Sequence, residues 1–148
     1  MSRTFSSLSG LIAHMEGVAR TLPHAEHEAL DAVTTDALDK AKEVIGHYQS
    51  DPAWAALAKA TVEDRTRKGF TPDAPLDRTG GFRDSFERHV EGAHHAAIGT
   101  NDPRGDYFEH GTSRMPPRPV LGAVQAQHEH RLGDVAARRV HRHLNSGE

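Results

Sequence analysis

Apolar residues recur at steps of three and four from the start of the chain. Phe5, Leu8, Leu11, Ile12, Met15, Val18, Ala19 and Leu22 form one stripe, the period of an amphipathic helix over about 5–22. Thr21 and Pro23 then read as a helix boundary, because proline lacks the N–H an interior turn requires. A second stripe follows over about 24–46: Ala29, Leu30, Val33, Ala37, Leu38, Ala41, Val44 and Ile45. Asp36 and Lys40 stand four apart on its polar side, spaced for weak support. Ser50, Asp51 and Pro52 predict a further helix start, with a capping side chain followed by proline in the first turn. Trp54, Leu57 and Thr61 continue it.

Beyond Gly69 the period is lost. The stretch 70–81, FTPDAPLDRTGG, is punctuated by Pro72, Pro75, Gly80 and Gly81 and reads as a loop. Asp77 or Thr79 can cap a short helix that sets Phe82 and Phe86 one turn apart. Phe86, Arg88 and Val90 then alternate, Glu91-Gly92 suggests a turn, and a second strand runs from about His94 to Thr100, predicting a β-hairpin. Asn101 to Gly105 reads as a polar loop. Tyr107 opens a short amphipathic segment that breaks at Gly111, where glycine accepts a left-handed backbone. Met115-Pro116-Pro117-Arg118-Pro119 follows. Three prolines in four positions make this arm, within 101–120, extended and stiff. A weaker helical stripe of Leu121, Val124, Leu132, Val135, Ala136 and Val140 comes next, and residues 141–148 are polar enough to fray. The fold class expected is α+β: long amphipathic helices packed on a small antiparallel sheet, with an extended proline-rich arm, in a single domain over 1–148.

Composition adjusts this picture. Only 36% of the 148 residues are hydrophobic and 5% aromatic, so the core is thin, a combination that often marks a protein completed by assembly. The absence of cysteine excludes disulfides, zinc thiolates and a cysteine nucleophile. No basic region leads into an apolar run, so no signal peptide is expected. No segment approaches the roughly 20 apolar residues of a membrane span. These features point to a protein made and used in the cytosol, or carried in a particle assembled there. A net charge of −3 is not the footprint of a DNA-binding domain. Twelve histidines could make assembly sensitive to pH near 6.5.

Candidate chemistry is weak. Arg65, Arg67 and Lys68 could touch phosphate, but with Glu63 and Asp64 beside them a solvated helix face fits better. His128 and His130, like His141 and His143, stand two apart and do not share a helical face. His24, His27 and Glu28 can share one, without an inward partner to complete a metal site. Ser85 and His89 lie across a helix-to-strand switch and have no visible oxyanion site. Thr79-Gly80-Gly81 lacks the spacing of a phosphate loop. No catalytic residue, cofactor or metal ligand is expected. Pro116 and Pro119 beside Arg118 also fit a proline-motif ligand of an interaction module, and a small metal-dependent hydrolase using the histidines is a third, weaker alternative.

Several separated pieces resemble one family. The first block is Trp54, Leu57 and Thr61, then Pro75-Leu76-x-Arg78-Thr79-Gly80-x-Phe82-Arg83-x-Ser85. The second is Ala97-Ile98-Gly99-Thr100, then Tyr107-Phe108-Glu109-x-Gly111-Thr112-Ser113-x-Met115-Pro116-Pro117-Arg118-Pro119. Together, over about residues 51–123, they resemble the tail-completion or head–tail joining (neck) proteins of long-tailed bacteriophages and prophages, including tail-component and virion morphogenesis proteins. Two departures, Gly81-Phe82 where leucine is frequent and Val120 where a larger residue is usual, keep an apolar contact. The resemblance implies a structural virion protein rather than an enzyme. It would assemble into a ring, often sixfold, between the head connector or stopper and the tail terminator or tail tube. DNA would pass through without sequence-specific binding, and no membrane would be involved. Its place would be the virion neck or tail, and the host cytoplasm during assembly. Tyr107, Phe108, Met115, Pro116, Pro117, Arg118, Pro119 and Val120 would be the subunit-interface residues, with the arm lying on the next subunit; the alternative is an arm that folds back onto its own domain.

Overall fold

The structure, a computed structural model, describes residues 4–146. It is α+β. Five helices, α1 (Leu8–Val44), α2 (Lys59–Arg67), α3 (Gly81–Asp84), α4 (Arg104–His110) and α5 (Val120–Ser146), accompany one hairpin of β1 (Phe86–Glu91) and β2 (His95–Thr100). The chain divides into two compact units. One comprises Met1–Thr35, His89–Ala97 and His130–Glu148; the other comprises Asp36–Arg88 and Ile98–Glu129.

In the first unit α1 runs straight through the expected boundary at Thr21 and Pro23. The apolar line Leu11, Val18, Leu22, Ala25 and Ala29 keeps its phase across the proline. Pro23 costs about 3 kcal/mol in a helix interior. The face that continues across it, half-buried at Leu11, Val18 and Leu22 and buried at Ala25 and Ala29, offsets that cost. The hydroxyl of Thr21 donates to the carbonyl of Gly17 and shares a 2.8 Å hydrogen bond with Nε2 of His143. His143 is buried. From residue 141, where fraying was expected, α5 continues to Ser146, and residues 147–148 lie outside the described part. Beside the hairpin turn, His27 Nδ1 lies 2.6 Å from the carbonyl oxygen of Gly92, and His94 approaches Glu26 at 3.7 Å.

The second unit holds the larger core: Ala41, Val44, Ile45, Trp54, Leu76, Phe82, Phe86, Val120, Ala123 and Val124. The helix predicted from Ser50 begins only at Lys59. Residues 53–58 instead form an extended strap. Trp54 is buried, the N–H of Leu57 donates to the hydroxyl of Tyr48, and the carbonyls of Ala55 and Ala56 are taken by Arg118. Those carbonyls would otherwise accept the bonds of a helical turn, so the strap's backbone is satisfied without one. Lys40 pairs with Glu43 at 2.6 Å.

Beyond the strap, Asp77 Oδ1 accepts the N–H of Gly80, the residue before α3, and α3 itself starts without the side-chain cap expected from Asp77 or Thr79. The hairpin falls where the alternation placed it. The loop expected over 101–105 is shorter, since α4 already starts at Arg104.

Phe82 is the hub of this unit. It is 3% exposed and meets Phe86 and Phe108 edge-on, with centroids 5.3 and 4.9 Å away. Phe82→Ala is expected to cost about 3–5 kcal/mol and Phe82→Leu less than half as much, read as the shift of the urea unfolding midpoint.

Candidate assembly surface

The proline arm is held at both ends. At its start, α4 ends on Gly111 with φ 75°, and the Gly111 N–H closes onto the carbonyl of Tyr107 at 2.8 Å. A Cβ here would sit 2.8 Å from Pro117 N and 2.9 Å from Met115 O. The chain folds back so tightly that glycine is required for space as well as for φ. Thr112 and Met115 then exchange backbone hydrogen bonds of 2.8 and 3.3 Å, closing residues 112–115 into a small turn.

At its far end Arg118 is 5% exposed. Its N–H donates to Phe108 O at 2.7 Å, its Nε to Ala55 O at 3.0 Å and its Nη2 to Ala56 O at 2.9 Å. The planar fork of the guanidinium matches two successive carbonyls, which a lysine cannot do. One turn of chain later, Glu109 reaches across from α4 to the start of α5. Its Oε2 accepts from the N–H of Val120 (2.9 Å) and Leu121 (3.2 Å), and its Oε1 from Gly122 (2.7 Å). These are donors that a helix start leaves unpaired, and a carboxylate there also meets the positive end of the helix dipole.

Two further arginines act as Arg118 does. Arg65, buried, donates to the carbonyls of Ala74 and Asp77. Arg83 donates to those of Lys42 and Ile45 and to the carboxylate of Asp77. Arg65 is thus withdrawn from any phosphate-binding cluster, while Arg67 and Lys68 pair with Asp64. The histidines do not converge: among the described residues no three metal-ligating side chains come together. Ser85 Oγ donates to Phe82 O and shares a 2.6 Å bond with Thr100 Oγ1, so it is spent on joining α3 to the hairpin. No helix among the described residues is long and apolar enough to cross a membrane.

The eight interface candidates therefore divide. Arg118 and Val120 are buried by their own chain, and Phe108 packs on Phe82. Pro119 is half-buried. Tyr107 is 54% exposed, Met115 half-exposed, and Pro116 and Pro117 are exposed. A cleft of about 260 Å³ opens between Phe82, Phe86, Thr100, Glu109, Val120 and Leu121. Leu121 at its rim was not singled out from the sequence, where it read as a core position of α5. The register of α5 instead turns Val120, Ala123 and Val124 inward.

At the entry to α4, both carboxylate oxygens of Asp102 accept from Arg104 Nε, at 2.9 and 3.1 Å. The guanidinium, and then the Arg104 backbone N–H, hold the Asp102 carboxyl at about 2. The same guanidinium lies 5.7 Å from the ring centre of Phe82. Nearer the strap, burial and then the Asp73 carboxylate push the Tyr48 phenol up.

No match was found when the chain was compared with protein-family models, with curated proteins or with solved structures.

Two outcomes follow from this geometry. Arg118→Lys should cost about 1.5–3 kcal/mol by leaving one strap carbonyl unpaired, with amide exchange rising selectively at residues 53–58. A folded-state pKa below the ordinary carboxylate range means that the Asp102 contribution is present above that range and is lost as pH falls towards about 2. Carboxyl carbon shifts should show Asp102 titrating near that value, and Arg104→Gln should return it towards the ordinary range.

Proposed function

We propose that this chain is a structural component of a phage-type neck, a building block that completes a tail and joins it to a head connector around the DNA path. The observation that carries this reading is the way the resembling blocks meet. Trp54 and its strap, Phe82 to Ser85, Thr100, Tyr107 to Glu109 and the proline arm are separated by up to about sixty residues. They are nonetheless tied together by Arg118 to Ala55 and Ala56, Phe82 to Phe108, and Ser85 to Thr100. A pattern spread by chance over the sequence would have no reason to join up in this way.

The arm supports an assembly role of a particular kind. Its base is fixed by Gly111 and Arg118, and residues 112–117 project with Met115, Pro116 and Pro117 outward. A segment already held in one conformation loses little entropy on docking. The working surface on this reading is the projecting turn with Tyr107 and Leu121, and it contacts a different surface of the next subunit. Such head-to-tail contacts close into a ring when the rotation allows; the resemblance suggests six subunits. The interface is narrower than the eight residues first named, because Arg118, Val120 and Phe108 serve their own subunit.

The proline-motif alternative is less well supported. A ligand of that kind needs its arginine and both prolines free, whereas Arg118 is 5% exposed and bonded to two carbonyls. The hydrolase alternative has no specific observation in its favour.

Size exclusion with light scattering, on the full chain at rising concentration and at pH 6 and pH 8, tests the proposal. A discrete species several times heavier than the 16.2 kDa chain is expected. Tyr107→Ser with Met115→Ser should weaken it by about tenfold or more while leaving thermal unfolding nearly unchanged. A chain that never exceeds a dimer, and that also fails to bind purified phage connectors and tail tubes, would sink the reading.

A further inference from the structure

The start of α1 carries an apolar line distinct from the face it buries. Leu8, Ile12, Met15 and Ala19 follow one another at steps of four, three and four. Leu8 is 73% exposed, Met15 62% and Ile12 48%. The line Leu11, Val18 and Ala25, half-buried to buried, lies about a quarter-turn away around the helix. One buried face is enough to make a helix amphipathic. A second one, repeating every 3.5 residues and left in water, has the pattern of a seam for another helix.

We propose that this seam pairs antiparallel with the same seam of a second copy of the chain. The alternating period selects a helix as the occupant. Self-complementarity selects the chain's own seam. With Ile12 set opposite Met15 of the partner subunit, Leu8 falls opposite Ala19. Every layer is apolar, and large Leu8 meets small Ala19.

The flanks choose the direction. In the antiparallel arrangement Leu11 on one edge lies near Val18 of the partner subunit, and Ser9 on the other edge near Glu16. Apolar meets apolar and polar meets polar, with no like charges opposed. A parallel pair would bring Glu16 against Leu11. Antiparallel helix dipoles also favour the first arrangement.

Size sets the strength. From Leu8 to Ala19 the seam spans about 17 Å at the usual helical rise. A contact of this length falls short of the roughly 1,600 Å² typical of stable complexes, so the pair is a weak, reversible one. It involves none of the residues of the proline arm, so its failure and that of the neck reading are separately visible.

Sedimentation velocity of the full chain from about 1 to about 300 μM tests it by mass action. The wild-type chain should pass from monomer to dimer. Ile12→Glu alone and Met15→Lys alone should each weaken the dimer more than tenfold; both positions are exposed, and an unchanged circular dichroism spectrum confirms folding. An equimolar mixture of the two variants should regain the dimer, because the new carboxylate at 12 faces the new ammonium at 15 in one layer while the other layer stays apolar. A wild-type chain monomeric throughout would overturn the proposal, as would variants that dimerise like wild type. Recovery absent on mixing would overturn the antiparallel register.

Discussion

The second unit depends on arginine guanidinium groups that hold carbonyls of loop backbone. Arg118 takes Ala55 and Ala56, Arg65 takes Ala74 and Asp77, and Arg83 takes Lys42 and Ile45. Between them they fix the strap, the proline-rich loop and the end of α1, three segments without regular hydrogen bonding. A buried carbonyl without a partner costs about 1–3 kcal/mol, and a chain only 36% hydrophobic has little apolar burial to offset it. Long side chains that bring a fixed fork of donors solve both problems, because their stems pack while their heads bond. The end of α1 shows how closely the parts fit: Gly46 adopts φ 95°, and a Cβ there would come within 3.0 Å of Arg83 Nη2.

The same interaction explains why the arm is rigid. Proline fixes φ but does not fix where a segment points. Direction comes from the two ends, from the tight return at Gly111 and from the buried head of Arg118. Glu109 adds a third constraint by tying α4 to the first N–H groups of α5. What projects is therefore a short turn on a stapled base. Its exposed groups are few, which makes the difference between anchoring and contacting residues sharp: Arg118 anchors, while Tyr107, Met115 and the two exposed prolines are free to contact.

How much of this was legible in the sequence follows from the range of each interaction. The hairpin and the break at Gly111 are local, set by alternation and backbone freedom, and they appear where they were read. The errors come from partners far along the chain. Ser50 to Pro52 carries a sound local signal for a helix start, but residues 55 and 56 are claimed by an arginine 62 positions or more away. The proline at 23 is a sound local signal for a break, overridden by an apolar face that stays in phase. Arg65 sits in a run of charges and looks solvated; nothing nearby in sequence reveals that two loop carbonyls await it. For the arm, the stiffness was readable from composition, while the side of the molecule on which Arg118 is spent was not.

Two candidate contacts of different symmetry now stand on different parts of the chain. A projecting turn that docks on an unlike surface is heterologous and propagates around an axis; a self-matching seam is isologous and stops at two. Alone, the first gives a ring and the second a dimer. Together they can coexist in only two ways, as two rings stacked face to face through the seams, or as a dimer that exists before assembly and parts when the ring forms. The seam is short and has little area, so a single pair is weak, whereas several pairs acting at once between stacked rings would bind with much greater effective strength. An isolated dimer in that range of affinity separates readily as subunits are drawn into a ring. The seam therefore favours the second course where the free chain is concentrated, and there it keeps Leu8, Ile12 and Met15 from water until the arm has found its neighbour.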